Sequence, residues 1–241
     1  MIKLNEVKLL ELINTNDLEA LKLLIGTEVY NTSLSSTDKK RINAFRKFSK
    51  ARSKEVREGL KGAYVDNDNM MTVCDGYRIA RLFDSNIKDC LMVQKESVKD
   101  VTSKLINDTK STNRLQIQLD ANDIMLQYKK YKATKDKKIE SNNHGIYVVA
   151  YEGFLKEECY IVFNIEYLKE FHDIFDFTSE VEFYIQDKSI ETNFFVEDGA
   201  EVEALRTNNS PLYIESDNGN GIILPIRPTT NPKLIIENNK K

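Results

Sequence analysis

His144 and His172 are the only histidines in this 241-residue chain, and a search for proton transfer or metal ligation starts with them. His144 ends the polar run Ser141-Asn142-Asn143, and His172-Asp173 is a bare dipeptide with no neighbouring ligand set. Both are expected at the surface. The acidic pairs Glu157-Glu158 and Glu197-Asp198 have no identifiable general-acid partner. Asp66-Asn67-Asp68-Asn69 begins like a calcium loop, but Met70 and Met71 stand where a ligand and a glycine belong, which makes it a hairpin turn. Cys74, Cys90 and Cys159 are far apart and form no metal-type spacing, so they read as buried free thiols in a reducing compartment. Gly219-Asn220-Gly221 serves a turn between strands, and no P-loop, nucleophile elbow or dinucleotide fingerprint occurs. The expectation is a protein that is not an enzyme and holds no metal or cofactor.

Charge is more informative. The net charge of −3 conceals an asymmetry. Lys39, Lys40, Arg41, Arg46, Lys47, Lys50, Arg52, Lys54 and Arg57 crowd residues 39–57 against Glu55 alone, whereas residues 151–217 are acidic. A basic face on an acidic body suits a protein that meets DNA on one surface. A solvated helix face gives the same pattern. No apolar run is long enough to cross a bilayer. Glu6 and Glu11 interrupt the apolar start of the chain, so no leader and no membrane partner are expected, and the location is expected to be cytoplasmic. Abundant Lys, Asn and Ile with no Trp point to a low-GC bacterial or phage source.

The elements that must position these residues follow from periodicity. Residues 1–25 read as two short helices and 31–37 as a polar linker. Residues 38–57 read as a basic amphipathic helix with Ile42, Phe45 and Phe48 inward. From Leu60 the period shortens. Ala63–Asp66 and Met70–Val73 form a hairpin, and Arg78–Phe83 continues as strand. A helix is predicted near 95–107, with Val98, Val101, Leu105 and Ile106 on one face, then a strand over 115–119 and a partner strand over Ile124–Tyr131. The lysine-rich 129–143 reads as a loop that either contacts phosphate or links domains. Strands are predicted over 145–150, 159–163, 182–185, 192–196, 201–205, 212–214 and Ile222–Ile226, and a helix over Ile165–Phe175, with Asn218-Gly219 as a turn. Short strands joined by tight turns argue for an α+β fold with mostly antiparallel sheet and helices on one face.

Two separated segments carry a family likeness. Leu60-Lys61-Gly62-Ala63-Tyr64 runs on to Thr72-Val73-Cys74-Asp75-Gly76-Tyr77-Arg78-Ile79-Ala80, and Gly221-Ile222-Ile223-Leu224-Pro225-Ile226-Arg227 lies near the C-terminus. Together they resemble the "TDGHRLA" and "MPMR" strands of the bacterial DNA polymerase sliding clamps, the beta clamps. Val162-Phe163-Asn164-Ile165-Glu166-Tyr167-Leu168 resembles that family's "FNxxYL" helix start, and Ser210-Pro211-Leu212-Tyr213-Ile214 its penultimate strand. The matches occur in the family's order. Cys74 stands where the family usually has Thr and Tyr77 where it usually has His, and both are expected to alter peptide preference.

The resemblance implies a DNA-clamp-like fold, with antiparallel sheets outside, helices on one face and about two clamp-type domains. The domains expected are an extension over 1–37, a first domain over 38–131, a reduced second domain over 132–228 with no visible amphipathic helix in 132–160, and a tail over 229–241 that either frays or folds back. A partner-peptide groove is implied, lined by Leu60, Gly76, Tyr77, Arg78, Ile79, Asn164, Tyr167, Ile222, Ile223, Leu224, Pro225, Ile226 and Arg227. Of Ile223 and Leu224, whichever faces inward reads as plain core on residue type, since only one of two successive strand residues faces a given side. DNA contact is implied for Lys39, Lys40, Arg41, Arg46, Lys47, Lys50, Arg52 and Lys54 on the basic helix. The implied partners are DNA polymerase or other replication and repair proteins carrying clamp-binding peptides, and double-stranded DNA bound without sequence preference. Three copies would be needed for a six-domain ring. The other reading is a clamp-fold adaptor or decoy that captures such peptides without encircling DNA.

Overall fold

The computed structural model describes residue 20 and residues 35–51, 63–65, 70–83, 99–111, 114–136, 145–186, 190–195 and 203–240. The expected helices over 1–25 fall outside them apart from Ala20, as do the tetrapeptide turn at 66–69 and His144. The chain divides into two compact units, Met1–Lys104 and Leu105–Lys241.

In the first unit, helix α1 (Ser36–Ala51) starts earlier than its hydrophobic period suggests because Ser35 caps it. Asp38 N donates to Ser35 Oγ (3.0 Å), and Lys39 N donates to Ser35 O (3.0 Å). Ile42, Phe45 and Phe48 are buried, as their spacing requires, and the helix packs on β2 (Met71–Cys74). Strands β1 (Ala63–Val65), β2 and β3 (Arg78–Leu82) form an antiparallel meander, with Ala63 opposite Val73 and Cys74 opposite Ile79. Every residue of β2 and β3 is buried.

Helix α2 (Lys99–Ser111) contains the boundary between the units. Its inward residues are Ile106 and Thr109, whereas Leu105, expected inward, is exposed.

The second unit corrects the sequence reading in two places. Ile124–Tyr131 is not a strand, and 129–143 is not loop from its start, because helix α3 (Ala121–Asp136) covers both. Asp120 initiates it: Asn122 N and Asp123 N donate to Asp120 Oδ1, and Ile124 N donates to Asp120 O. The C-terminal tail does not fray either. It forms helix α5 (Pro232–Lys240), whose Ile235 joins a cluster of Val148, Tyr160, Val162, Phe195 and Leu205.

Between them come β5 (Ile146–Glu152), β6 (Glu158–Asn164), helix α4 (Ile165–Phe175), β7 (Val181–Ile185), β8 (Ile190–Phe195), β9 (Glu203–Asn208), β10 (Leu212–Ser216) and β11 (Gly219–Ile223). With β4 (Leu115–Ile117), two sheet portions form. One is antiparallel in the order β11-β10-β7-β4, and the other runs β5-β6-β9-β8. Pairing in the second is antiparallel except between β6 and β9, where Cys159 lies opposite Arg206 in parallel register. The β10–β11 turn is Asp217-Asn218, with Ser216 paired to Gly219.

Helix α4 buries Ile165, Leu168, Phe171, His172, Ile174 and Phe175 and packs on β6, β11 and α3. Each large apolar side chain so buried contributes about 1.5–3 kcal/mol of transfer free energy. His172 is buried, which corrects the sequence expectation of a surface residue. Its Nδ1 accepts from Phe177 N (3.1 Å), its ring meets Phe177 edge-on, and its carbonyl accepts from Asp176 N at the left-handed C-cap. It closes a helix. The α+β class, with antiparallel sheet and packed helices, stands as expected. Among the described residues no helix is long and apolar enough to cross a membrane.

Candidate functional site

The first unit contributes a rigid hairpin tip. Asp75 N donates to Arg78 O (3.1 Å), leaving Gly76-Tyr77 as a two-residue turn. Gly76 has φ +84° and Tyr77 a negative φ, the pattern of a II′ turn, which takes glycine at its first central position. Asp75 is fully buried and organises the tip. Its Oδ1 accepts from Tyr77 N and Arg78 N, and its Oδ2 accepts from Arg78 Nε, all at 2.9 Å. The Arg78 guanidinium lies 4.1 Å over the Phe48 ring. Arg78 is thus a buried support and is not a polar group on the surface. Tyr77, 59% exposed, is what the turn displays.

The second unit brings two predicted segments together. At the start of α4, Asn164 is the N-cap, and its Oδ1 accepts from Glu166 N (2.8 Å). Ile165 N donates to Gly145 O (2.8 Å), which fixes the helix start against β5. Tyr167 follows in the first turn, half-buried. β11 ends at Ile223, three residues short of the predicted strand end at Ile226, and the chain leaves the ladder at Leu224. Pro225 has no N–H to offer a neighbour. Ile226 N instead donates to Val162 O (2.8 Å), two residues before Asn164. Leu224 and Pro225 are half-buried, while Ile226 and Arg227 are exposed. This places an apolar, proline-stiffened segment that ends in Arg227 beside the end of β6, the strand that leads into α4. Such a surface can take apolar peptide anchors and orient their backbone.

Other predicted residues lie elsewhere. Ile79 in the first unit, and Ile222 and Ile223 in the second, are 2% exposed or less and are core of their own units. Of the adjacent pair, Ile223 is the inward residue and Leu224 the outward one. Leu60 lies outside the described residues. On α1, Arg41 is buried and ion-paired to Asp38 (3.1 Å), so it is not presented to a phosphate backbone. Lys40 and Lys47 are exposed, and Lys39 and Arg46 half-buried. Lys50 belongs to α1, and Arg52 and Lys54 lie outside the described residues.

Sequence reasoning missed Gly145, Val162 and the whole of α5. The dipeptide Asn231-Pro232 was a legible signal for α5, an N-cap followed by proline at the first helical position. Asn231 Oδ1 accepts from Lys233 N (3.0 Å), and Asn231 Nδ2 and Lys233 Nζ both donate to Glu203 (2.8 and 2.6 Å). The hydrogen bonds from Lys233 first, and then from Asn231, hold the Glu203 carboxyl below its ordinary range, and Glu203 raises Lys233. A lowered carboxylate value means stability that is complete above pH 4.5 and lost as pH falls through the folded value. The difference in thermal midpoint between the protein and its Glu203→Gln variant should therefore shrink on acidification below pH 4.5. A difference that persists in acid would contradict this.

Cys74 and Cys159 are buried free thiols. Among the described residues no three His, Cys, Asp or Glu side chains gather as a metal site.

One similar solved structure is a proposed DNA polymerase III beta subunit from Eubacterium rectale ATCC 33656, with 11% identity and a TM-score of 0.42 over 80% of this chain and 64% of that one. Another is the sliding clamp (DNA polymerase III subunit beta) of Bartonella birtlesii bound to griselimycin, with 14% identity and a TM-score of 0.35 over 81% of this chain and 65% of that one. This chain thus spans a little under two thirds of each of those proteins. No protein-family model and no curated protein matches it.

Proposed function

We propose that this chain is a sliding-clamp-like factor of DNA replication that recruits partner proteins by binding a short peptide with Leu and Phe anchors. The supporting observation, within the second unit, is the bond from Ile226 N to Val162 O, which holds the Leu224–Arg227 segment beside the strand that leads into α4, the helix that carries Tyr167. The sequence resemblance assigns peptide binding to these same residues. The Gly76–Ile79 turn carries the other half of that resemblance, and Tyr77 is its exposed side chain. DNA contact is assigned to the basic helix α1, where a sequence-independent phosphate interaction would let the protein slide.

A fluorescent peptide with Leu and Phe anchors tests this reading by anisotropy. Binding near the micromolar range, about −8 kcal/mol, is expected. Leu224→Asp and Tyr167→Ala should each weaken it at least roughly tenfold, about 1.4 kcal/mol. Equal affinity in both variants would remove the site. Tyr77→Ala asks separately whether the first unit contributes.

The second reading, a peptide-binding adaptor that forms no ring, is favoured by the sparse basic face of α1. Only Lys40 and Lys47 among its described cations are exposed, and Arg41 is buried. Light scattering over a wide concentration range separates the two. A stable trimer that is retained on circular but not linear DNA supports the ring, and a persistent monomer leaves the adaptor.

A further inference from the structure

We infer that helix α5 is a positioning strut for the peptide-binding segment Leu224–Arg227, with Asn231, Ile235 and Glu203 as its positioning residues, an inference that rests on the peptide-binding reading above. The segment has little means of holding itself. It lies beyond the end of β11, and both Pro225 and Pro228 lack an N–H for ladder bonds. Its Ile226 N donates to Val162 O. Something on its far side must restrain it, or the segment would sample many conformations and few would present Leu224, Ile226 and Arg227 together.

Helix α5 supplies that restraint within a short span, since only Pro228–Asn231 separate it from Arg227. Asn231 is 3% exposed and faces two ways. Its Oδ1 caps the helix at Lys233 N, and its Nδ2 reaches Glu203 at the start of β9. Lys233 Nζ closes the same carboxylate from the next turn position. The far end of the helix is tied to α3, with Asn239 Nδ2 donating to Gln127 Oε1 (2.9 Å) and Lys130 Nζ donating to Asn239 O (3.0 Å). Gln127 and Tyr147 in turn donate to Asp123 Oδ2 (2.8 and 2.9 Å). Burial first, and then Asp123, push the Tyr147 hydroxyl far above its ordinary value, so it remains a donor throughout the physiological range.

The decisive feature is Val162. Its carbonyl receives Ile226 N, while its side chain sits in the cluster that Ile235 completes. One residue therefore anchors the segment and carries the helix that restrains the segment's other end. The Glu203–Lys233 pair is about two-fifths exposed on both sides and contributes modestly. Ile235, 6% exposed, contributes the larger part through burial. If α5 undocks, the binding-competent fraction of the segment falls, and apparent affinity falls in proportion.

The test measures amide hydrogen exchange at Ile226 in the free protein, alongside binding of the Leu/Phe peptide, in Ile235→Ala, Glu203→Ala and Asn231→Ala. In Ile235→Ala, protection at Ile226 should drop roughly tenfold or more while Phe171 in α4 stays protected. Peptide affinity should weaken by a similar factor, roughly tenfold. Glu203→Lys should give a smaller loss, and adding Lys233→Glu should restore it. Loss of protection in α5 with Ile226 unchanged would overturn the proposal. If Ile235→Ala does not fold, the two polar variants decide it by the same measurement. If the unaltered protein binds no peptide, the peptide-binding reading fails, while exchange at Ile226 still judges whether α5 restrains the segment.

Discussion

Replacing Asp75 with alanine is expected to destabilise the protein by about 3–5 kcal/mol, because it leaves the buried Arg78 charge without its partner. Asp75 has no solvent exposure and Arg78 only 7%, so water cannot take over the lost bonds. Two backbone donors, Tyr77 N and Arg78 N, lose their acceptor in the same step. Natural domains hold only about 5–15 kcal/mol in total, so the first unit would be close to unfolding. Urea denaturation measures the loss. Asp75→Asn keeps an acceptor for the two amides and should fall between the two proteins, which separates the turn bonds from the charge. A loss below about 1 kcal/mol for Asp75→Ala would mean that the pair behaves as a solvated surface pair, contrary to its burial.

The second large effect is expected at Gly145. Its φ is +72°, and a methyl group there would lie 2.8 and 2.9 Å from ring atoms of Tyr131. The left-handed conformation costs a non-glycine residue roughly 1–2 kcal/mol. Relieving the overlap adds about 1–3 kcal/mol, because the outer atoms of the Tyr131 ring on α3 must shift to admit the methyl group. Gly145→Ala is therefore expected to cost roughly 2–5 kcal/mol. It should also disturb function. Gly145 O accepts from Ile165 N, so any shift of this residue moves the first turn of α4, where Asn164 and Tyr167 lie. Thermal unfolding and peptide affinity should fall together in this variant. A stable variant with unchanged affinity would show that α4 is held without the Gly145 carbonyl.

Both predictions depend on turns whose residue types were visible in the chain but whose roles were not. Asp75-Gly76-Tyr77-Arg78 reads from sequence as a turn and, by resemblance, as part of a peptide site. That Asp75 and Arg78 form its buried frame while Tyr77 alone is displayed follows from the side-chain geometry. The same distinction applies on α1. Nine cations in residues 39–57 announce a basic helix, but the register that buries Ile42, Phe45 and Phe48 also carries Arg41 inward against Asp38. Charge counts cannot see this, because a period of 3.6 residues leaves one position beside the apolar stripe whose burial depends on what it packs against.

What the sequence determined by itself is local. Helix α4 was predicted at its observed limits because its cap at Asn164 and its apolar spacing agree. The hairpin of β1 and β2, the α+β class and the strands from Ile146 to Ser216 follow from period and turn chemistry in the same way. What only the tertiary structure decided is wherever local signals compete. The run Ile124-Met125-Leu126 favours strand by composition, yet the Asp120 cap and the bonds of Asp123 to Tyr147 and Gln127 make it helix. Parallel pairing of β6 with β9 joins residues far apart in the chain, and no local pattern encodes it. The C-terminal helix is too short to be stable alone in water. It forms because Ile235 has an apolar cluster to complete and Glu203 is placed to receive Asn231 and Lys233, partners that exist only once the sheet has folded.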